Sequence, residues 1–153
     1  MPDSTSGTNY TAVHLGPLDG LDQYKFDHPV RKVEVVGKVF LNGLLGATGS
    51  EISLTKLPPK ASVPFFHSHK LNEEVFVIVR GEGEFQVDDD VLPIGEGSVV
   101  RVACIGERCL RNTSADAPLI YICIQTMTGS LVQHTFADGV PSARTAKWAT
   151  TPG

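Results

Sequence analysis

The sequence lacks the features that mark a membrane protein, a nucleic-acid binder or a disulfide scaffold. No apolar run approaches the roughly 18 residues of a membrane-spanning helix. The opening stretch, Met1-Pro2-Asp3-Ser4-Thr5-Ser6-Gly7-Thr8, is polar and carries no signal-peptide core. Lys and Arg number 13 against 17 Asp and Glu, and the formal net charge is −4. The cations are scattered and form no stripe, so nucleic acid is not an expected partner. Three cysteines is an odd number, and no metal-knuckle spacing links them. Reduced thiols in a cytoplasmic protein are the simplest reading. Helical periodicity is missing as well, because no window of about 11 residues repeats its apolar positions with a helical period.

What the chain does have is turn chemistry and β-branched runs. It holds 15 Gly and 10 Pro, and turn signals recur about every 8 to 12 residues. That pattern predicts an all-β sandwich or barrel. A chain of 153 residues is expected to form one domain and to bury roughly 70% of the surface its unfolded form exposes. Residues 1–9 read as a flexible N-terminal tail, and residues 10–153 as a single domain with N- and C-terminal extensions. Strands are expected over Val30–Phe40, with Val33, Val35 and Val39 on one face, and over Glu51–Leu57, with Ile52, Leu54 and Lys56 on one face. Further strands are expected at Glu74–Arg80, the hairpin Glu84–Ile94, Ser98–Ala103 and Pro118–Thr126, with Leu131–Phe136 as a candidate last strand. Trp148 is a candidate to pack the C-terminal tail onto the barrel or a neighbouring subunit.

The chemistry concentrates between Val63 and Gly81. Residues i and i+2 of an extended chain point to one face, so His67 and His69 reach the same point. On the next strand Glu74 shares its face with Phe76 and Ile78, which look like interior residues, while Glu73, Val75 and Val77 take the other face. A bare carboxylate pointing inward would be expensive to bury, and a cation offsets that cost. Two imidazoles and one carboxylate make a metal site with open positions. His67, His69 and Glu74 are therefore the expected metal ligands. Glu73 and Lys70 are expected at the surface, Cys123 in the core, and His14, His28 and His134 away from any ligand set.

The run His67-Ser68-His69, four residues, Glu74, six residues, Gly81 resembles the first characteristic motif of the cupin superfamily, in its small single-domain form. One departure is Ala61, where the family often has glycine. The resemblance extends from about Leu54 to about Thr126. It implies a single double-stranded β-helix, or jelly-roll barrel, with a divalent metal ion (Fe, Mn, Zn or Ni) in its mouth. It does not imply one reaction, since the family includes dioxygenases, isomerases, decarboxylases, sugar-binding sensors and storage proteins.

The family's second motif ends in a histidine that would be a fourth ligand, and this chain has none there. Counting forward from Gly106 puts Cys109 in its place; counting backward from Asn112 puts Arg108 there. If Leu110 packs inward, alternation sends Arg108 and Asn112 inward and Cys109 outward; if Cys109 points inward, Arg111 follows it. A Cys109 thiolate would favour zinc or a thiolate-ligated iron. Arg108 or Arg111 would instead offer a cationic fork to a carboxylate or phosphate substrate. Two function classes follow. One is a mononuclear metal-dependent oxidoreductase or isomerase acting on a small organic acid, phenol or sugar-like molecule. The other is a non-catalytic cupin that binds a small molecule as a sensor or scaffold. Small cupins of this kind are commonly homodimers, and the strand around Val30–Phe40 and the apolar run Leu119–Ile124 are candidate interface segments.

Overall fold

The computed structural model describes residues 2–148, and Met1 and residues 149–153 lie outside it. The fold is all-β, as the turn-rich composition predicts. Its frame is a five-stranded antiparallel sheet. In spatial order this sheet holds β10 (Val99–Val102), β7 (Asn72–Arg80), β12 (Leu119–Met127), β6 (Glu51–Leu57) and β5 (Lys38–Phe40). A second sheet runs β11 (Arg108–Asn112), β8 (Glu82–Val87), β9 (Asp90–Gly95). Residues 61–69 lie along the free edge of β11, bridged at Ser62 to Arg111 and at His67 to Arg108. Pro64 donates no hydrogen bond, which interrupts that ladder.

The two sheets share one core. Phe76, Ile78, Leu119, Tyr121 and Cys123 from the first sheet meet Phe85, Ile94 and Leu110 from the second. β7 shows why: its buried positions are Glu74, Phe76 and Ile78, one face of a period of two. The hairpin β8–β9 turns at Asp88, which adopts φ 50°. Gly81 joins β7 to β8 at φ 90°, and a Cβ there would collide with the Pro118 carbonyl oxygen, so the position requires glycine.

The outer face of the five-stranded sheet carries a second cluster. Leu21, from a 3-10 turn at Leu18–Gln23, packs with Val39 and Ile120, and Leu54 and Val79 border them. Burying Leu21 completely stabilises the fold by about 1.5–3 kcal/mol. This cluster explains the pattern of β6. Ile52, Leu54 and Lys56 do share a face, but the buried positions are Ser53 and Thr55 on the other one.

Several expectations change. Asp3–Gly7 (β1) is one arm of a hairpin with Tyr10–His14 (β2), paired from Asp3↔His14 to Gly7↔Tyr10, although all five residues of β1 are exposed. Val30–Phe40 is not one strand. It divides into β4 (Glu34–Val36), which pairs with β3 (Lys25–Asp27), and β5. The break is Gly37 at φ 82°, where a Cβ would stand 2.6 Å from the Lys56 carbonyl oxygen. Leu119–Ile124 is paired on both sides, by β6 and β7, so no edge is left there for a second subunit. Leu131–Phe136 forms no strand, and Phe136 is 92% exposed. Trp148 is 87% exposed and does not pack on the barrel. The Asn42-Gly43 turn signal opens a single helical turn, α1 (Asn42–Leu45), closed by Gly46 in the left-handed region.

Candidate metal centre

The histidine segment behaves as an extended chain even where its ladder is interrupted. From Ala61 to His69 exposure alternates residue by residue, with Val63, Phe65, His67 and His69 on the less exposed side. Main-chain bonds hold it in place: Val63 N donates to Leu110 O at 2.9 Å, Arg108 N to His67 O at 3.0 Å and His69 N to Cys104 O at 2.8 Å. The two imidazoles therefore project from one face, with ring centroids 5.3 Å apart and planes at 85°. Glu74 comes from β7, flanked by Val102 on β10 and Gln125 on β12, and is 2% exposed.

One ligand atom from each of His67, His69 and Glu74 lies within 4.8 Å of the other two, so the cluster could hold a metal ion. His69 Nε2 is 3.1 Å from Glu74 Oε1, and His67 Nε2 is 3.8 Å from Oε2. His69 Nε2 nevertheless has no hydrogen-bond partner and is buried, as is His67 Nδ1. A lone pair facing a carboxylate oxygen at that distance is unfavourable unless a proton or a cation lies between them. The donor set and the orphaned nitrogen both fit a divalent metal.

Of the two candidates for the motif's last position, Arg108 is the one that faces the cluster. Leu110 packs in the core at 4% exposure, and alternation along β11 turns Arg108 and Asn112 inward with it. Arg108 is fully buried. Its Nε donates to Glu74 Oε2 at 2.8 Å and its Nη1 to Gly106 O at 2.7 Å, while Nη2 has no partner. Asn112 Nδ2 donates to the carbonyls of Leu57, Pro58 and Ala117 and ties the barrel end together. Cys109 faces away from the cluster, half-buried opposite Gln86, and burial pushes its thiol up. The structure thus does not bring Cys109 to His67, His69 and Glu74. Arg111 also faces outward, where its Nε donates to Glu84 Oε2 at 2.7 Å, so it does not reach the cluster either. Glu73 pairs outside with Arg101, and Lys70, His14 and His134 are exposed.

The charges are arranged around Glu74. Burial pushes its carboxyl up, but Arg108, His69 and hydrogen bonds from Cys123 and Arg108 outweigh burial and hold it below its ordinary value. Burial dominates at His67 and lowers its pKa, with Arg108 and His69 adding to the effect and Glu74 opposing it. Cys123 is indeed a buried thiol, but it is also part of the site: its Sγ donates to Glu74 Oε1 at 3.3 Å, and burial and that carboxylate push its pKa up.

The cluster sits in a cavity of about 720 Å³. Phe65, Phe76 and Tyr121 line it, as does Lys38 from β5, while Phe85 and Val102 belong to the core instead. The β3–β4 hairpin and its connecting loop cover the mouth. The His28 ring meets Phe65 edge-on at 5.5 Å, and the Arg31 guanidinium lies 4.4 Å over the same ring. Sequence reasoning missed Lys38 because Val30–Phe40 reads as one strand; only the signal at Gly37 marks the break.

Comparison with known proteins agrees with the geometry. The family model described as a cupin domain matches residues 53–125. A cupin protein from Bacteroides fragilis is 39% identical over 69% of this chain and 88% of its own, with a TM-score of 0.65. A predicted oxalate decarboxylase from Thermotoga maritima, at 24% identity over 63% of this chain and 83% of its own, has a TM-score of 0.53. A cupin 2 domain-containing protein from Halorhodospira halophila, at 23% identity over 58% of this chain and 62% of its own, has a TM-score of 0.52. The last two share the fold. No curated protein is significantly similar to the chain.

Proposed function

The chain belongs to the cupin family, and we propose that it is a mononuclear metalloenzyme whose metal is held by His67, His69 and Glu74. The observation that carries this reading is the buried His69 Nε2, without a hydrogen-bond partner 3.1 Å from a buried carboxylate oxygen. A divalent ion bound there would supply Lewis-acid polarisation or, as iron, a redox centre for a small organic acid, phenol or sugar-like substrate.

The chain's own residues do the rest. Arg108, anchored on the Gly106 and His67 carbonyls, fixes the Glu74 carboxylate in orientation and keeps it ionised. The apolar cavity walls exclude water around the substrate and strengthen each electrostatic contact inside. The hairpin residues His28, edge-on to Phe65, and Arg31, over the same ring, close one side of the entrance.

Metal content of the purified protein by element-resolved mass spectrometry tests the reading. Near-stoichiometric iron, manganese, nickel or zinc is expected, falling to background in His69→Ala. A protein that stays metal-free even with added metal would sink it. A non-catalytic binding cupin is the second reading, favoured by one observation: Arg108 already neutralises Glu74 without a metal. Turnover of a catechol or 2-oxo acid that disappears in His69→Ala would argue against it. In either reading the protein is proposed to be a cytoplasmic homodimer; light scattering at micromolar concentration should give twice the monomer mass, and a clean monomer would overturn that part.

A further inference from the structure

We infer that Lys38 is the anion anchor of the cavity and that the ligand it selects is a monocarboxylate carried on an apolar, ring-sized body. The inference rests on the reading of this cavity as the substrate site.

Four of the cavity's five charged residues outside the loop are already matched. Arg108 pairs with Glu74, Lys56 with Asp22, and Glu34 with Lys25. Lys38 is not matched. Among the described residues its ammonium makes no ion pair and no hydrogen bond; it lies over the Phe40 ring, 4.9 Å from the centroid. A cation–π contact compensates an ammonium only in part. Lys38 cannot simply turn to solvent on the other side of the sheet. On β5 it alternates with Val39, whose side chain is buried in the outer cluster, so Lys38 and Phe40 share the cavity side. Its cross-strand neighbour is Thr55, itself buried. Burial lowers the Lys38 pKa, and the more distant charges of Cys123, Glu74 and Glu51 oppose that without forming an ion pair.

An unmatched cation at an apolar wall is costly for the empty protein and useful for a loaded one, because an incoming anion recovers the interaction. The remaining lining defines the rest of the ligand. Phe26, Phe40, Phe65 and Phe76 contribute rings, and Leu57 and Val63 contribute aliphatic surface. A volume of about 720 Å³ lies within the usual range for a small-ligand pocket. Arg31, which also lines the cavity without an ion pair among the described residues, lies over the Phe65 ring in the covering loop, so the β5 wall offers one ammonium. That suits a single negative charge better than a phosphate dianion, which would need several donors.

Benzoate and its neutral isostere benzamide are the probes. Calorimetry on the metal-supplemented full chain should show benzoate binding at least about tenfold more tightly than benzamide, the scale of one charge-assisted hydrogen bond. Lys38→Met should abolish that preference by weakening benzoate alone, and Lys38→Arg should keep it. Equal binding of the two probes to the wild type, or undiminished benzoate binding in a folded Lys38→Met, overturns the inference. If Lys38→Met fails to fold, the wild-type ratio and Lys38→Arg still decide. Metal content is measured on the same samples. A metal-free protein with Lys38-dependent benzoate binding would remove the metalloenzyme reading and support this one; a metal-loaded protein indifferent to the carboxylate would do the reverse.

Discussion

Arg108 and Arg111 lie on the same strand, and each is paired with a glutamate, but the pairs sit on opposite faces of the wall. On the inner face the Arg108 and Glu74 side chains are 0% and 3% exposed. On the outer face the corresponding values for Arg111 and Glu84 are 60% and 37%. The distances are similar, 2.8 Å inside and 2.6 Å outside, so geometry does not separate them. Solvent does. An exposed pair gains little over two hydrated ions. A buried pair has already surrendered its hydration, and losing one partner leaves the other stranded. The outer pair decorates the barrel, whereas the inner one holds the candidate site's carboxylate in its charged form.

The sharpest way to break this comparison is to remove each inner and outer cation in turn. Arg108→Met should destabilise the metal-free protein by about 3–5 kcal/mol, because Glu74 is left buried without its partner. Urea denaturation measures the loss, and added divalent metal should recover part of it by supplying the missing positive charge. Arg108→Lys should lie between. It keeps the charge but loses the fork that bonds Glu74 and Gly106 together, a loss of about 1.5–3 kcal/mol for charge-assisted hydrogen bonds. If Arg108→Met is as stable as the wild type, the inner pair is not what secures Glu74.

The same strand shows how far the sequence can be read. Period-two alternation puts His67 and His69 on one face and turns Glu74 inward with Phe76 and Ile78, and the structure shows the same arrangement. The choice between Arg108 and Cys109 depends on Leu110, and the packed core settles it in favour of Arg108 facing inward. Elsewhere the local pattern is insufficient. β6 presents its bulkier residues outward because an N-terminal layer covers that face, and no local signal announces a layer contributed by Leu18–Gln23. Lys38 enters the cavity through a three-residue edge strand whose register is set by distant main-chain bonds. Gly37 N donates to Tyr24 O at 2.9 Å, and Lys56 N to Gly37 O at 2.8 Å. Cys123 reads as an ordinary core thiol because its contact with Glu74 links residues 49 apart in the chain.

Arg111→Ala is expected to have the smallest effect. The side chain is mostly in water, its partner Glu84 is also accessible, and double-mutant measurements on such pairs give about 0.2–1 kcal/mol. Glu84 keeps its hydration when the arginine is removed, so no stranded charge follows. The loss should shrink further in 1 M salt, where the screening length is about 3 Å. Arg108→Met should keep its larger deficit in the same salt, since ions do not enter a fully buried contact. Running both variants at low and high salt therefore separates the two faces by screening as well as by size. A salt-insensitive loss of several kcal/mol at Arg111 would mean that the outer face is covered in solution, and a second copy of this chain would then be the first candidate for the cover.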